Sequence, residues 1–263
     1  TIGPNLLDPP DLINGNIPPI TTTAQIEIIG PTPANAGPYQ GVCGNSTTLA
    51  GNVIGTGTGQ WTQLTGPGTL NFGNDNNPTT TVTISGSDYG TYTIEWAATL
   101  GACAASADTV EIQFFQPPSA SNAGPDQDIC GNSTILAANN PAVGTGEWIY
   151  IGGPGGESFS NTLDENSTFS GNFGTHTLEW RIDNGACPDE VSQVQITFEE
   201  APTVANAGAD DTTVCNDLTY ALQGNTITVG TGTWSKISGP GGALTFSTNA
   251  NDPNATVTLP TYG

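Results

Sequence analysis

The reactive inventory of this 263-residue chain is short: five cysteines, one histidine, two basic side chains and 24 carboxylates. Cysteine spacing points to cross-linking. Cys43, Cys130 and Cys215 each follow an Asn-Ala-Gly opening, while Cys103 and Cys187 each follow a run ending in Trp96 or Trp180. Each complete repeat thus owns one pair, which predicts one disulfide per complete repeat and leaves the partner of Cys215 outside the sequence. Free buried thiols are the alternative. Paired recurrence in a Lys-poor, Met-free chain suits an oxidising exterior, and closing a loop of about 60 residues stabilises by up to roughly 4 kcal/mol on the chain-entropy model. Zinc is disfavoured, because the cysteines are far apart and His176 is the one histidine.

Catalysis has little to draw on. A nucleophile needs an adjacent base, and acid–base work needs two groups with separated pKa values in a pocket. His176 stands where the preceding repeat has Tyr92, so it reads as a strand residue replacing an aromatic. Lys236 could form an isopeptide with an asparagine, yet the other repeats have no lysine there. Calcium is the stronger cofactor reading, since hard cations take carboxylate and carbonyl oxygens. Asp126 and Asp128, then Asp210 and Asp211, gather after the Asn-Ala-Gly openings; the first repeat has Tyr39 and Gln40 there, so the pattern is not periodic. The competing reading is a set of solvated surface carboxylates.

These residues are placed by a tandem array. Ala34-Asn35-Ala36-Gly37, Cys43, Gly55-Thr56-Gly57 and Trp61 recur as Ser121-Asn122-Ala123-Gly124, Cys130, Gly144-Thr145-Gly146 and Trp148, and again as Ala205-Asn206-Ala207-Gly208, Cys215, Gly230-Thr231-Gly232 and Trp234. The period, about 86 residues, exceeds the roughly 20–50 of a solenoid repeat and fits one small β-sandwich. Runs such as Thr81-Val82-Thr83-Ile84, Tyr92-Thr93-Ile94-Glu95-Trp96 and Val110-Glu111-Ile112-Gln113-Phe114 alternate in polarity and are bounded by Gly, Pro, Asn and Asp, which predicts strands with one buried face. The fold class expected is all-β: tandem Ig-like or PKD-like antiparallel sandwiches. Trp61, Trp96, Trp148, Trp180 and Trp234 are expected in the cores; a ligand platform is the alternative. Gly66-Pro67-Gly68 and its two counterparts read as turns.

A formal charge of -22 excludes nucleic acid as partner, because a phosphate backbone needs clustered Lys and Arg. Anionic membrane surfaces would repel the chain likewise, and no run approaches a membrane span. Domain boundaries are expected at 1–33 (the tail of a preceding domain or an N-terminal strand plus linker), 34–117, 118–201 and 202–263, the last incomplete, since Thr261-Tyr262-Gly263 aligns with Asp88-Tyr89-Gly90 just before the Trp96 strand. Either the missing strands lie downstream in a longer polypeptide, or residues 1–30 of a neighbouring copy supply them by strand donation.

The run from Asn122 to Phe198, with Asn-Ala-Gly-Pro-Asp-Gln, Cys130, Gly144-Thr145-Gly146, Trp148, Gly153-Pro154-Gly155, Leu178-Glu179-Trp180 and Cys187, resembles the PKD-like or Ig-like repeats of very large surface proteins of Bacteroidota, gliding-motility-type adhesins exported by the type IX secretion system among them. The resemblance covers about residues 34–263. It implies a cell-surface location, further repeats and a non-enzymatic role as spacer, filament or adhesin. Asp108-Thr109-Val110, and more weakly Asp211-Thr212-Thr213, look like that phylum's O-glycosylation motif, marking Thr109 and Thr212. Expected partners are neighbouring repeats, further copies of the chain, or a surface polysaccharide or substratum. A carbohydrate-binding array attached to a secreted polysaccharidase is the competing class; it predicts exposed aromatic platforms.

Overall fold

The computed structural model describes residues 29–211, 218–239 and 242–259. Among them the regular elements are 17 strands, and helices are absent. The first repeat forms β1 (Gln40–Cys43), β2 (Ser46–Thr48), β3 (Thr58–Thr65), β4 (Leu70–Phe72), β5 (Thr81–Ile84), β6 (Gly90–Thr99) and β7 (Ser106–Phe115). Their order is β1-β7-β6-β3 in one sheet and β2-β5-β4 in another. The second repeat copies this with β8 (Gln127–Cys130), β9 (Ser133–Ile135), β10 (Thr145–Gly152), β11 (Ser158–Phe159), β12 (Thr168–Ser170), β13 (Gly174–Asp183) and β14 (Glu190–Glu199), ordered β10-β13-β14-β8 and β11-β12-β9. The third contributes β15 (Thr219–Ala221), β16 (Thr245–Phe246) and β17 (Thr256–Thr258), a single sheet ordered β15-β17-β16.

Two pairings depart from an all-antiparallel reading. β1 lies parallel to β7, and β8 parallel to β14. The cause is local: β1 belongs to the four-stranded sheet and β2 to the three-stranded one, so the chain changes sheets across Gly44-Asn45. Gly44 has φ 99°, a left-handed conformation that a side chain disfavours.

Alternation in the sequence becomes alternation in burial. Along β13, His176, Leu178, Trp180 and Ile182 are buried, as the two-residue period of a half-buried strand requires. In the second repeat they pack with Val194, Ile196 and Phe198 of the same sheet and with Ala123, Leu136 and Phe169 from across the sandwich. Trp148 and Trp180 face each other as direct cross-strand neighbours, ring centroids 5.1 Å apart; Trp61 and Trp96 do the same at 4.9 Å.

The described residues divide into two compact units. One takes 29–39, 47–83 and 92–111; the other takes 40–46, 84–91 and 112 onward. β1 and the end of β7 thus belong to the same unit as the second repeat.

Candidate functional site

The Asn-Ala-Gly openings are a hydrogen-bonded latch, built identically three times. Asn35 donates its backbone N–H to the Asn52 side-chain oxygen and accepts from the Asn52 N–H, at 2.8 and 2.9 Å. The Asn35 side chain accepts from Gly37 N–H at 2.8 Å. Asn122 with Asn139 and Gly124, then Asn206 with Asn225 and Gly208, repeat every one of these bonds. The alanine between is buried in the first two copies, Ala36 and Ala123. Gly124 has φ 83° and a Cβ there would lie 2.5 Å from Ala137 O, so no side chain fits. The second asparagine escaped the sequence reading. Its signal was present, because Asn52 and Asn139 both stand 17 residues after their partners.

The linkers are fastened by the same logic. Ser119 donates its N–H to Val143 O and accepts from Val143 N–H on its hydroxyl, at 3.0 and 2.9 Å. Thr32 with Thr56 and Thr203 with Val229 make the corresponding pair of bonds.

Cysteine pairing corrects the expectation. Cys43 is bonded to Cys187, 144 residues away, and Cys103 and Cys130 are free and exposed. The bond joins the first repeat to the second instead of closing either. Its geometry follows from the register: Cys43 ends β1 opposite Phe115, and Gly44 N–H donates to Phe115 O at 2.9 Å. Cys187 closes a turn from Asn184, whose side chain donates to Gln116 O at 2.7 Å. Gly185, at φ 67°, lets the Phe115 ring lie against the turn; a Cβ there would meet the ring at 2.1 Å. Edge strand, linker start and turn therefore converge on one point, and Cys187 is buried in it. Closing a loop of this length contributes about 5 kcal/mol on the chain-entropy model. Cys215 lies outside the described residues.

The tryptophans divide into two situations. Trp61, Trp96, Trp148 and Trp180 are each 2% exposed or less. Trp96 donates its indole N–H to Asn52 O, and Trp180 to Asn139 O, so the latch asparagine also holds the second tryptophan. The glycine two residues before the first tryptophan makes room: a Cβ on Gly59 or Gly146 would lie 2.2 or 2.1 Å from the Trp96 or Trp180 ring. This fixes the motif's register. In the first repeat the equivalent of Gly144-Thr145-Gly146 is Gly57-Thr58-Gly59, two residues beyond the Gly55-Thr56-Gly57 read from sequence. Trp234 is half-buried. Its indole donates to Asp252 O at 3.1 Å as Trp148 does to Asp164 O, but a cavity of about 200 Å³ lies beside it, lined by Asn225, Ile227 and Gly232. Asn225 and Gly232 are the counterparts of Asn139 and Gly146, which lie against Trp180.

No catalytic arrangement is assembled around His176. It is fully buried among Tyr150, Phe169 and Phe198, with Nε2 2.8 Å from Asn172 O and Nδ1 unpartnered. Among the described residues no three His, Cys, Asp or Glu side chains converge as metal ligands would. Asp126 and Asp128 are exposed, and the Asp126 carboxylate accepts from Gln195 N–H at 2.8 Å, tying the start of β8 to β14; Asp210 and Asp211 are exposed too. Thr109 is exposed on β7, where its neighbour Asp108 accepts from Ala36 N–H at 2.8 Å. Thr212 lies outside the described residues. Among these residues no helix is long and apolar enough to cross a membrane.

No known protein family's profile matches the chain, and no curated protein matches it. Solved structures do. Sidekick-1 immunoglobulin domains 1–5 align over 90% of this chain and 54% of theirs, at 14% identity and a TM-score of 0.44. The insect immune protein hemolin aligns over 68% of this chain and 49% of its own, at 12% identity and a TM-score of 0.37. The PKD domain of the KIAA 1837 protein aligns over 33% of this chain and 94% of its own, at 22% identity and a TM-score of 0.29. The chain spans about half the length of the Sidekick-1 structures it matches.

Proposed function

We propose that this chain is a non-enzymatic, extracellular stretch of a large surface protein, in which sandwich repeats bounded near residues 34–117, 118–201 and 202 onward hold a binding region away from the cell. The observation that carries this reading is the Cys43–Cys187 bond between successive repeats. A bond of that kind spends its stabilisation on connecting repeats, which a spacer or filament needs and an isolated binding domain does not. It also requires an oxidising compartment. Cell-surface attachment, and gliding in the manner of the Bacteroidota adhesins exported by the type IX route, is the specific role inferred from the repeat motif; O-glycosylation at Thr109 and Thr212 goes with it. The carbohydrate-binding alternative loses its main support, because the four tryptophans of the complete repeats are buried.

The test is on intact cells. Surface proteolysis with a protease suited to few basic sites should release peptides of this chain, and deleting the gene should abolish attachment or spreading while leaving secreted hydrolase activity intact. Peptides found only after lysis would sink the surface assignment.

A second reading, strand donation, is favoured by the cavity beside Trp234. The mass of the native polypeptide separates the two. Several hundred kDa, with peptides reading past Gly263, means that the missing strand comes from the same chain; a mass near 26.8 kDa makes the neighbour's residues 1–30 the donor.

A further inference from the structure

Cys130 and Cys103 occupy, repeat for repeat, the two places that are bonded in Cys43 and Cys187. Cys130 ends β8 as Cys43 ends β1: it stands opposite Glu199 in the parallel register, and Gly131 N–H donates to Glu199 O at 2.9 Å just as Gly44 N–H donates to Phe115 O. Cys103 closes the turn after β6 as Cys187 closes the turn after β13, with Cys103 N–H on Leu100 O at 2.9 Å and a left-handed glycine, Gly101 or Gly185, inside each turn. The surroundings match as well. Cys187 Sγ sits 3.7 Å from Phe115 O, at the start of the linker that enters its repeat, and Cys103 Sγ sits 3.6 Å from Ile29 O, at the start of the linker that enters the first repeat. Cys130 is exposed, as Cys43 is, and Cys103 is exposed where its bonded counterpart Cys187 is buried.

We infer that the free cysteines are open halves of the same linkage: Cys130 bonds the turn cysteine of the repeat that follows, and Cys103 bonds the edge-strand cysteine of the repeat that precedes. The partners fall outside Thr1–Gly263, since a period of about 86 residues puts the third repeat's turn cysteine past Gly263 and the preceding edge cysteine before Thr1. Each repeat is then covalently tied to both neighbours. The chemistry is thiol–disulfide exchange with an oxidised dithiol carrier. The Cys130 thiolate attacks a carrier sulfur and expels one carrier thiolate; the turn-cysteine thiolate then attacks the Cys130 sulfur of the mixed disulfide and expels the second. Two protein thiols lose two protons and two electrons, and the carrier leaves as a dithiol. Exposure of Cys130 gives the carrier access. This inference rests on the extracellular reading, because the cytosol would keep these thiols reduced.

The experiment is disulfide mapping of the full native polypeptide, its thiols blocked with N-ethylmaleimide before denaturation and its digestion done with pepsin at low pH without reduction. The expected result is a Cys43–Cys187 peptide pair, Cys130 joined to a cysteine from the turn after the next repeat's Trp-bearing strand, and no maleimide on Cys130 or Cys103. Maleimide on Cys130, or its bond to any cysteine outside such a turn, with Cys43–Cys187 intact, overturns the linkage and leaves the extracellular reading standing. Maleimide on Cys43 and Cys187 as well overturns both.

Discussion

The second and third repeats carry the same latch, the same linker bonds and the same first tryptophan, yet only the second has a closed core. In the second, Trp180 fills the space between Asn139, Gly146 and Trp148; in the third, Asn225, Gly232 and Trp234 surround a cavity. Among the described residues of the third repeat the strands form one three-stranded sheet, β15-β17-β16. Latch and short sheet form within residues 202–259, and in the second repeat it is Trp180 of β13 that closes the core.

That contrast can be broken most visibly with trypsin. Arg181 lies inside β13, between β10 and β14, with ion pairs to Glu179 and Asp189 at 3.4 and 3.6 Å, and cutting there requires opening the sandwich. Lys236 lies outside any strand. In a fragment of residues 1–263, cleavage at Lys236 should precede cleavage at Arg181 by at least about a thousandfold in rate, as expected for a site exposed only by opening that costs several kcal/mol; comparable rates, read by mass spectrometry of an undenatured digest, would show the second repeat to be no tighter than the third.

Next in size is truncation of the first tryptophan. In a fragment of residues 1–263, Trp148→Ala should destabilise the second repeat by about 3–5 kcal/mol, and Trp234→Ala the third by less than half of that, because one side of its ring faces the cavity. Hydrogen exchange resolved by peptide during urea titration measures both; equal losses would show Trp234 to be packed as fully as Trp148. Adding a methyl group sharpens the point from the other side. Gly146→Ala drives a Cβ into Trp180 and should cost about 1–3 kcal/mol, while in Gly232→Ala the nearest group is Ile227 Cγ1 at 3.1 Å and the cost should be a few tenths of a kcal/mol, about that of a small side-chain adjustment. The smallest difference belongs to the latch. Asn139→Ala and Asn225→Ala each remove the side-chain bonds to the opening motif and should cost about 1–2 kcal/mol apiece, the same in both repeats; a larger loss at Asn139 would tie the latch to the core.

Strand positions and core residues were legible because burial on one face leaves a two-residue period, as in Tyr92, Ile94 and Trp96. Cysteine pairing was not. A periodic sequence places Cys43 and Cys103 in every frame alike, and nothing in that recurrence separates a partner within the repeat from one in the next; the choice is made in space, where β1, the start of the linker and the turn at Asn184 meet. The two-residue slip in the Gly-Thr-Gly register has a similar origin: Gly55-Thr56-Gly57-Thr58-Gly59 contains the motif twice, and only the glycine against Trp96 identifies the right copy. The latch asparagines are polar and partly exposed, so hydrophobic periodicity is blind to them.

The sulfur bridge described above also decides where tension would run. With the Cys43–Cys187 bridge as the one closed link, a pull entering through the first linker reaches Cys43, crosses to Cys187 and leaves through β14, so residues 44–186 carry no load while the bridge holds. That hidden stretch, with a bond spanning 144 residues, amounts to about 500 Å of fully extended chain. Under oxidising conditions the first and second repeats could lose their folded structure between the two sulfurs without lengthening the molecule by that amount, and reduction alone would release it.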